Sequence, residues 1–440
     1  MCSTACARWF VRKNLSGTPK RRADELTRAE QWFIYALLLL SSLAYNYQFL
    51  LIDYVRPFFV AHLHWTLRDT ALLYAFQGAG VIIGSVLSAW LVARSSSRTV
   101  LLGSALAMTA FSCIGLWTAD SQIWRGLRFL VGIAMAASYV SSTTMLANFF
   151  PPRIRGRLLS ANAAMFAVAL LVIGTLGATL GDDGWRGLIW IGAAAPVVVF
   201  ACAVLFLPDD REFCVFADQE VASDPNTRTG SWREMFGGRY LKITLACLLL
   251  AGLNFSGYQF YSGFITTYLQ TVRHFDATLT GVFVTADGIG ALIGSILWGF
   301  AADRFGRRFN AVGFLLAAIF IGLYLLAPAE KLLLYALELG YAISLACTYC
   351  WGAYFAELFP VRLRPMGSSL FHGGHVLSLF APLIVTTVAQ GHSLVLGMAL
   401  APLTFLAAAI LWWLLPETLR TSSLYKGYSP EPAPPAADQA

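Results

Sequence analysis

Residues 294–308 read GSILWGFAADRFGRR, and residues 84–98 read GSVLSAWLVARSSSR. Each is the end of an apolar run that breaks into arginines. Gly84 matches Gly294, Arg94 matches Arg304 and Arg98 matches Arg308, all 210 residues apart. The pattern continues outward. Phe150-Pro151 recurs as Phe359-Pro360, with Arg155 against Arg364. Tyr47-Gln48-Phe49 recurs as Tyr258-Gln259-Phe260. Any one match could be chance, but several at one nearly constant offset mark an internal repeat. The chain therefore reads as two look-alike halves.

Composition says what kind of halves these are. Of 440 residues, 58% are hydrophobic and only 12% charged. Soluble domains carry about 25% charged residues. This excludes a soluble enzyme, a disordered chain and a secreted disulfide scaffold. A helix needs about 20 apolar residues to cross a bilayer. Twelve such runs are readable, near 32–60, 69–93, 98–119, 122–149, 157–180, 185–207, 241–270, 277–302, 308–328, 331–356, 365–390 and 393–415. The fold class expected is an all-α membrane protein of twelve transmembrane helices in two pseudo-symmetric six-helix bundles. The organisation expected is a basic tail (1–30), a first bundle (31–207), a central loop (208–240), a second bundle (241–416) and a terminal tail (417–440), Pro- and Ala-rich and disordered. The basic start, followed by a long apolar run without a small-residue cleavage site, does not read as a cleaved signal.

The net charge of +7 does not indicate nucleic acid, because the charges lie in the gaps between apolar runs. Of 31 lysines and arginines, 24 fall on the side of the two tails and the central loop. Four (Arg68, Arg186, Arg273 and Lys331) fall on the other. Positive loops stay inside, so both termini are expected in the cytoplasm, under a cell-membrane protein. The eight cysteines lie mostly singly in apolar runs, where Cys behaves as a small hydrophobe. No metal and no cofactor is expected. The chain carries no Walker-type glycine loop, so ATP is not the driver.

On the residues quoted, the chain resembles the major facilitator superfamily, over about residues 30–420. In that family the element carried here by Gly294, Asp303, Arg304, Gly306, Arg307 and Arg308 latches one helix to the next and governs alternating access. The first half keeps Arg94 and Arg98 but has Ala93 in place of the acid. Further family-like elements are Arg128-x-x-x-Gly132, Gly184-Trp185-Arg186, Glu357-x-Phe359-Pro360-x-Arg362-x-Arg364 and Leu415-Pro416-Glu417-Thr418. The Glu357 element resembles the organic-acid and sugar symporter branches. Span 5 has Gly174, Gly177 and Gly181 without the Gly-Pro pair usual in drug exporters. Symporters for sialic and aromatic acids often carry acids in the middle of span 1, where this chain has Tyr45-Asn46-Tyr47-Gln48.

Polar groups in hydrocarbon are costly unless partnered, so each one is a candidate for function. By the 3.6-residue period, Ser42, Tyr45, Asn46, Phe49, Asp53 and Arg56 share one face of span 1. That face is expected to line a water-filled cavity. An internal Asp53–Arg56 pair, or an Asp53–Arg128 pair between helices, stays open as a simpler reading. Arg128 and Glu338 are 210 apart, as are Tyr139 and Tyr349, so the halves present matched faces. The expected substrate contacts are Tyr45, Asn46, Gln48, Arg56, Arg128, Tyr139, Asn254, Tyr258, Tyr261 and Tyr349. Guanidinium grips carboxylate bidentately, which favours a small anionic substrate. Proton coupling needs a titratable buried group. Asp53 and Glu338 come first, then Asp287, His372 and His375. The expected function is proton-coupled uptake of a small organic anion by a monomer. The alternatives are a uniporter or exporter of a neutral or amphipathic solute, and a substrate sensor that no longer cycles.

Arg128→Ala should abolish thermal stabilisation of the purified protein by carboxylates while leaving it folded. Retained stabilisation would remove Arg128 from the site.

Overall fold

The computed structural model describes residues 21–22, 26–210, 213–214, 232–360, 363–428 and 430. Of residues 21, 22, 152, 153, 155–157, 213, 214, 232, 365 and 368 it describes the backbone only. The basic tail as far as Lys20, most of the central loop, Arg362 and the last ten residues lie outside the described set.

Twelve helices are long and apolar enough to cross a membrane. They are α1 (Arg28–Leu63), α2 (Leu67–Arg94), α3 (Ser97–Gly115), α4 (Ser121–Phe149), α5 (Leu158–Leu180) and α6 (Trp185–Phe206) in the first half. The second half has α7 (Gly238–Thr271), α8 (Ala277–Phe305), α9 (Arg307–Leu326), α10 (Lys331–Glu357), α11 (Ser369–Gly391) and α12 (Leu394–Leu414). A two-residue parallel pairing of Arg21–Arg22 with Phe213–Cys214 is the one sheet element among the described residues.

The boundaries depart from the apolar runs where local chemistry overrides hydropathy. Helix α1 starts before Trp32 because Thr27 and Glu30 form a capping box. The Glu30 N–H donates to Thr27 Oγ1 at 3.3 Å, and the Thr27 N–H donates to Glu30 Oε2 at 2.8 Å. Such reciprocal bonds satisfy helix-start donors that would otherwise be orphaned. Helix α3 stops at Gly115, where the Trp124 ring packs at 3.0 Å from the position of a Cβ. Helix α10 tightens into a 3-10 turn over Ala346–Cys350. Helix α11 is interrupted at Gly374.

The repeat is visible in the backbone. His64 and His274 are the two non-glycine residues with positive φ among those described, each at +55°. They lie in the turns after α1 and α7, and the N-caps Thr66 and Asp276 follow each at the same distance. Within the first half α2 packs on α4 and α3 on both α4 and α6. Within the second, α8 packs on α10 and α9 on α12. The halves meet along α1–α7, α5–α8 and α2–α11. Large apolar residues such as Val86, Phe300, Leu326 and Leu414 point outward, which is the surface hydrocarbon requires.

The α5–α8 seam is a close backbone approach. A Cβ on Gly281 would meet the Gly174 carbonyl oxygen at 2.6 Å, and one on Gly174 would meet the Thr285 nitrogen at 2.5 Å. Small residues let helices approach in this way. Gly281→Val should lower stability by about 1–3 kcal/mol, read as earlier thermal unfolding in detergent. An unchanged transition would mean that the seam yields freely.

Candidate functional site

Buried polar side chains gather in three networks, one on the seam and one inside each half. The first joins α1 to α7 in the half of the molecule away from the termini. Arg56 Nη2 donates to Asp53 Oδ1 at 2.6 Å, one helical turn apart. Gln259 Nε2 of the second half donates to Asp53 Oδ2 at 3.0 Å. Thr266 Oγ1 donates to the Asp53 carbonyl at 2.8 Å. The Arg56 guanidinium also lies 3.9 Å over the Phe264 ring, a favourable cation–π placement. Arg56 is fully buried, yet its Nε and Nη1 have no partner.

The second network lies within the first half. Gln48 Nε2 donates to the Gly192 carbonyl at 2.7 Å and to Ser112 Oγ at 3.0 Å. Gln48 Oε1 accepts from Arg128 Nη1 at 3.2 Å. Arg128 is buried near the Trp124 ring, its Nη2 unpartnered. Among the described residues no carboxylate pairs with it.

The third lies within the second half. Tyr261 donates to Glu338 Oε2 at 2.5 Å, and Tyr341 bonds Ser262 at 2.7 Å. Asp287, also buried, accepts no hydrogen bond among the described residues. It lies within electrostatic reach of Tyr258, Tyr341, Tyr349 and Glu338. Glu338 and Asp287 face no cation among the described residues.

Between the networks runs an aromatic cleft. Tyr139 of α4 meets His372 Nε2 of α11 at 2.7 Å, and the Tyr45 ring is 5.6 Å from Tyr139. His375 stacks on Phe255 at 3.7 Å. Tyr258 packs against Phe166 at 5.8 Å. Tyr74 and Ser378 hydroxyls bond across α2–α11 at 3.4 Å. The Ala277 N–H donates to Asp182 Oδ1 at 3.3 Å.

The structure thus places Asp53 with Arg56 rather than with Arg128, because a turn of one helix brings the first pair together without cost to the packing. Asp53, Arg128 and Glu338 are not bonded to one another; each closes its own network. Tyr45, Tyr139, His372 and His375 come together at the seam. Asn46 donates to the Ser42 carbonyl of its own helix at 2.8 Å. Asn254 is buried with Oδ1 unpartnered. Tyr349 lies in the 3-10 turn of α10, not on a regular helical face with Glu338.

The latch residues sit at the end that carries the termini. Arg307 bonds Asp303 Oδ1 at 2.7 Å and Glu357 Oε1 at 3.2 Å. The Arg307 and Arg308 N–H groups donate to Glu417 at 3.0 and 2.9 Å. Gly306 turns the chain there with φ +109°, against Glu417 and Ser422. Gly294 packs on Ile343 and Ala346 of α10. Arg308 donates to the Trp413 carbonyl, and Arg98 to the equivalent Val204 carbonyl at 2.8 Å. Arg94 lies over Trp90 and Arg304 over Phe305.

Gln77, Gln259, Phe264 and Thr266 were not among the expected site residues. Gln259 was legible as the repeat of Gln48, but its reach across the seam was not. Gln77 was legible only as the repeat counterpart of Asp287, 210 residues on.

Two apolar bundles meeting along a seam of polar networks are the architecture of a membrane transporter. The family model described as Major Facilitator Superfamily matches residues 34–352. The chain belongs to that superfamily, and is a multi-pass membrane transporter and not an enzyme. It is 25% identical over 371 residues to a cis,cis-muconate transport protein of Acinetobacter baylyi, covering 83% of this chain and 89% of that one. It is 23% identical over 378 residues to the 4-hydroxybenzoate transporter PcaK of the same organism, covering 75% and 79%. The inward-open xylose transporter XylE of E. coli shares the fold, with TM-score 0.67, 18% identity, and coverage of 89% and 98%.

Gln48→Leu would strip Arg128 of its bonded partner. We expect a loss of about 1–3 kcal/mol, the cost of an orphaned buried donor, seen in denaturant or thermal unfolding. No change would show that Arg128 finds another acceptor.

Proposed function

We propose that this protein takes up a small organic carboxylate together with a proton, by alternating access, across the cell membrane. Both termini lie in the cytoplasm, the halves are 31–207 and 241–416 joined by 208–240, and the working unit is a monomer. The observation that carries the reading is the Asp53–Arg56 pair on the seam, with two Arg56 N–H groups left unpartnered. A buried donor without an acceptor is costly, and a carboxylate is the ligand that fits a guanidinium fork. The relatives named as transporters of muconate and 4-hydroxybenzoate support an acidic substrate.

The coupling follows from competition. An incoming carboxylate and Asp53 compete for the same guanidinium. A proton on Asp53 weakens its hold on Arg56 and removes the repulsion between two adjacent anions. Proton and substrate therefore bind together, and the seam keeps the same net charge. Protonated Asp53 is also a poorer acceptor for Gln259, since hydrogen bonds to charged groups are about twice as strong as neutral ones.

The hydrogen bonds between halves support an alternating mechanism. Four of the five among the described residues lie at the middle or the far end, and Tyr139–His372 is the one deepest toward the termini. This conformer is bonded shut away from the termini. Opening that end must break the Gln259 and Thr266 bonds to Asp53. Binding can shift such an equilibrium only through different affinity for the two states, and Asp53 touches both halves in one of them.

Uptake into proteoliposomes should rise as the outside is made more acidic. Asp53→Asn should lose accumulation driven by a pH gradient, yet keep exchange of carboxylate for carboxylate. Full accumulation in D53N would move the proton to Glu338 or Asp287, to be tested with E338Q and D287N. Uptake by the unaltered protein that ignores collapse of the gradient would mean uniport.

A further inference from the structure

Tyr139 and His372 share a hydrogen bond of 2.7 Å between the halves. Ring contacts extend it into a layer. On one side the Tyr45 ring of α1 lies 5.6 Å from Tyr139. On the other, His375 lies 6.3 Å from His372 and stacks on Phe255 of α7 at 3.7 Å. Helices α1 and α4 of the first half thus meet α7 and α11 of the second in one aromatic layer. Its face away from the termini, with Phe49, Tyr74 and Gln77, lines a narrow cleft.

The surroundings differ on the two sides of this layer. Helix α1 runs away from the termini, and Asp53 and Arg56 follow Tyr45 by 8 and 11 residues. That places them about 12 and 16 Å farther along the helix. On the face of α4 that carries Tyr139, Arg128, Gly132 and Met135 are buried, whereas Tyr139 and Thr143 are half-buried. Helix α10 repeats the change, with Glu338 and Tyr341 buried and Leu345 and Tyr349 half-buried. Exposure therefore begins at the layer and continues toward the termini. A ligand held at Arg56 has the layer between it and those half-exposed faces.

We propose that Tyr139 and His372 form the inner gate of the transport path, closed by a hydrogen bond that must break before substrate leaves toward the termini. This rests on the alternating-access reading above. It makes both side chains part of the barrier, in place of the substrate contact and proton coupling expected of them from sequence. The gate is thin. One neutral hydrogen bond contributes little net free energy, so its loss shifts the balance of closed and open by about two- to tenfold. At the far end Asp53 holds two bonds to the second half, one of them to its carboxylate, and bonds to charged groups are stronger.

A cysteine at position 49 reports passage through the layer, because Phe49 lies one turn beyond Tyr45 and against His375 at 5.8 Å. The test measures how fast N-ethylmaleimide labels purified F49C protein, after subtracting the labelling of the unaltered chain. Adding Tyr139→Phe or His372→Leu should speed labelling about two- to tenfold. The two together should do no more than either alone, since they break the same bond. His372→Gln, which keeps a hydrogen-bonding group near the Nε2 position, should leave labelling slow. Unchanged labelling in Y139F and H372L, or effects of the two that simply multiply, overturns the gate.

A second readout needs no added cysteine. Loss of the gate bond favours the inward-open state and depletes the state that binds from outside, so KM for uptake rises by one common factor. In Y139F proteoliposomes an aromatic and an aliphatic carboxylate should therefore show the same rise. A rise confined to one of them would make Tyr139 a substrate contact and overturn the gate. Failure to transport any carboxylate would sink the uptake reading, while the labelling rates still decide the gate.

Discussion

Hydrocarbon offers no hydrogen bonds, and this constraint shapes the whole chain. Every backbone N–H and C=O must be satisfied inside the protein, so each crossing is a helix. Side-chain polarity is confined by the same rule to places where one helix faces another. The networks around Asp53, Gln48 and Glu338 lie in those places, buried and bonded across helices. The lipid-facing surface carries Val86, Phe300 and Leu326 instead. Where polarity remains incompletely satisfied, as at Arg56, Arg128 and Gln77, a ligand has something to complete.

The two halves share a backbone but have diverged in chemistry. Gln48 and Gln259 are repeat partners, yet one braces Arg128 inside its own bundle while the other crosses the seam to Asp53. Arg128 in the first half stands where Glu338 stands in the second. The ionic group Asp303–Arg307–Glu357 has Ala93, Ser97 and Asn148 as its counterparts, so all three charges are missing together. Asp210 takes over there as a cap, accepting from the Ser97 N–H at 3.1 Å, much as Glu417 does for Arg307 and Arg308. The helix-start donors are satisfied in both halves, while among the described residues the arginine bridge to two acids is seen in the second. Loss of a single charge would have stranded its partners, whereas loss of the set removes all three together.

Much of the fold was legible because period and hydropathy are local properties. Twelve apolar runs became twelve helices, and the 210-residue offset reappeared in the paired left-handed histidines. The errors lay where a side chain outside the apolar run set the boundary, as with the Thr27–Glu30 box. The site was legible in its residue types and not in its pairings. Asp53 and Arg56 could be aligned on one helix face by spacing. Whether Arg128 faced Asp53 or Gln48 depended on how α1 and α4 rotate against each other, which spacing within one helix does not encode.

The sequence by itself determined a twelve-helix membrane protein built of two repeats, with a few ionisable residues held in apolar runs. Those follow from the cost of polar groups in hydrocarbon and from the 3.6-residue period, both of which act on neighbours in the chain. Only the tertiary structure decided that Gln259 reaches Asp53, that Tyr139 meets His372, and that Gln77 faces a cleft with its acceptor unmet. Those contacts join segments more than 200 residues apart or depend on what fails to arrive, and packing between helices alone settles them.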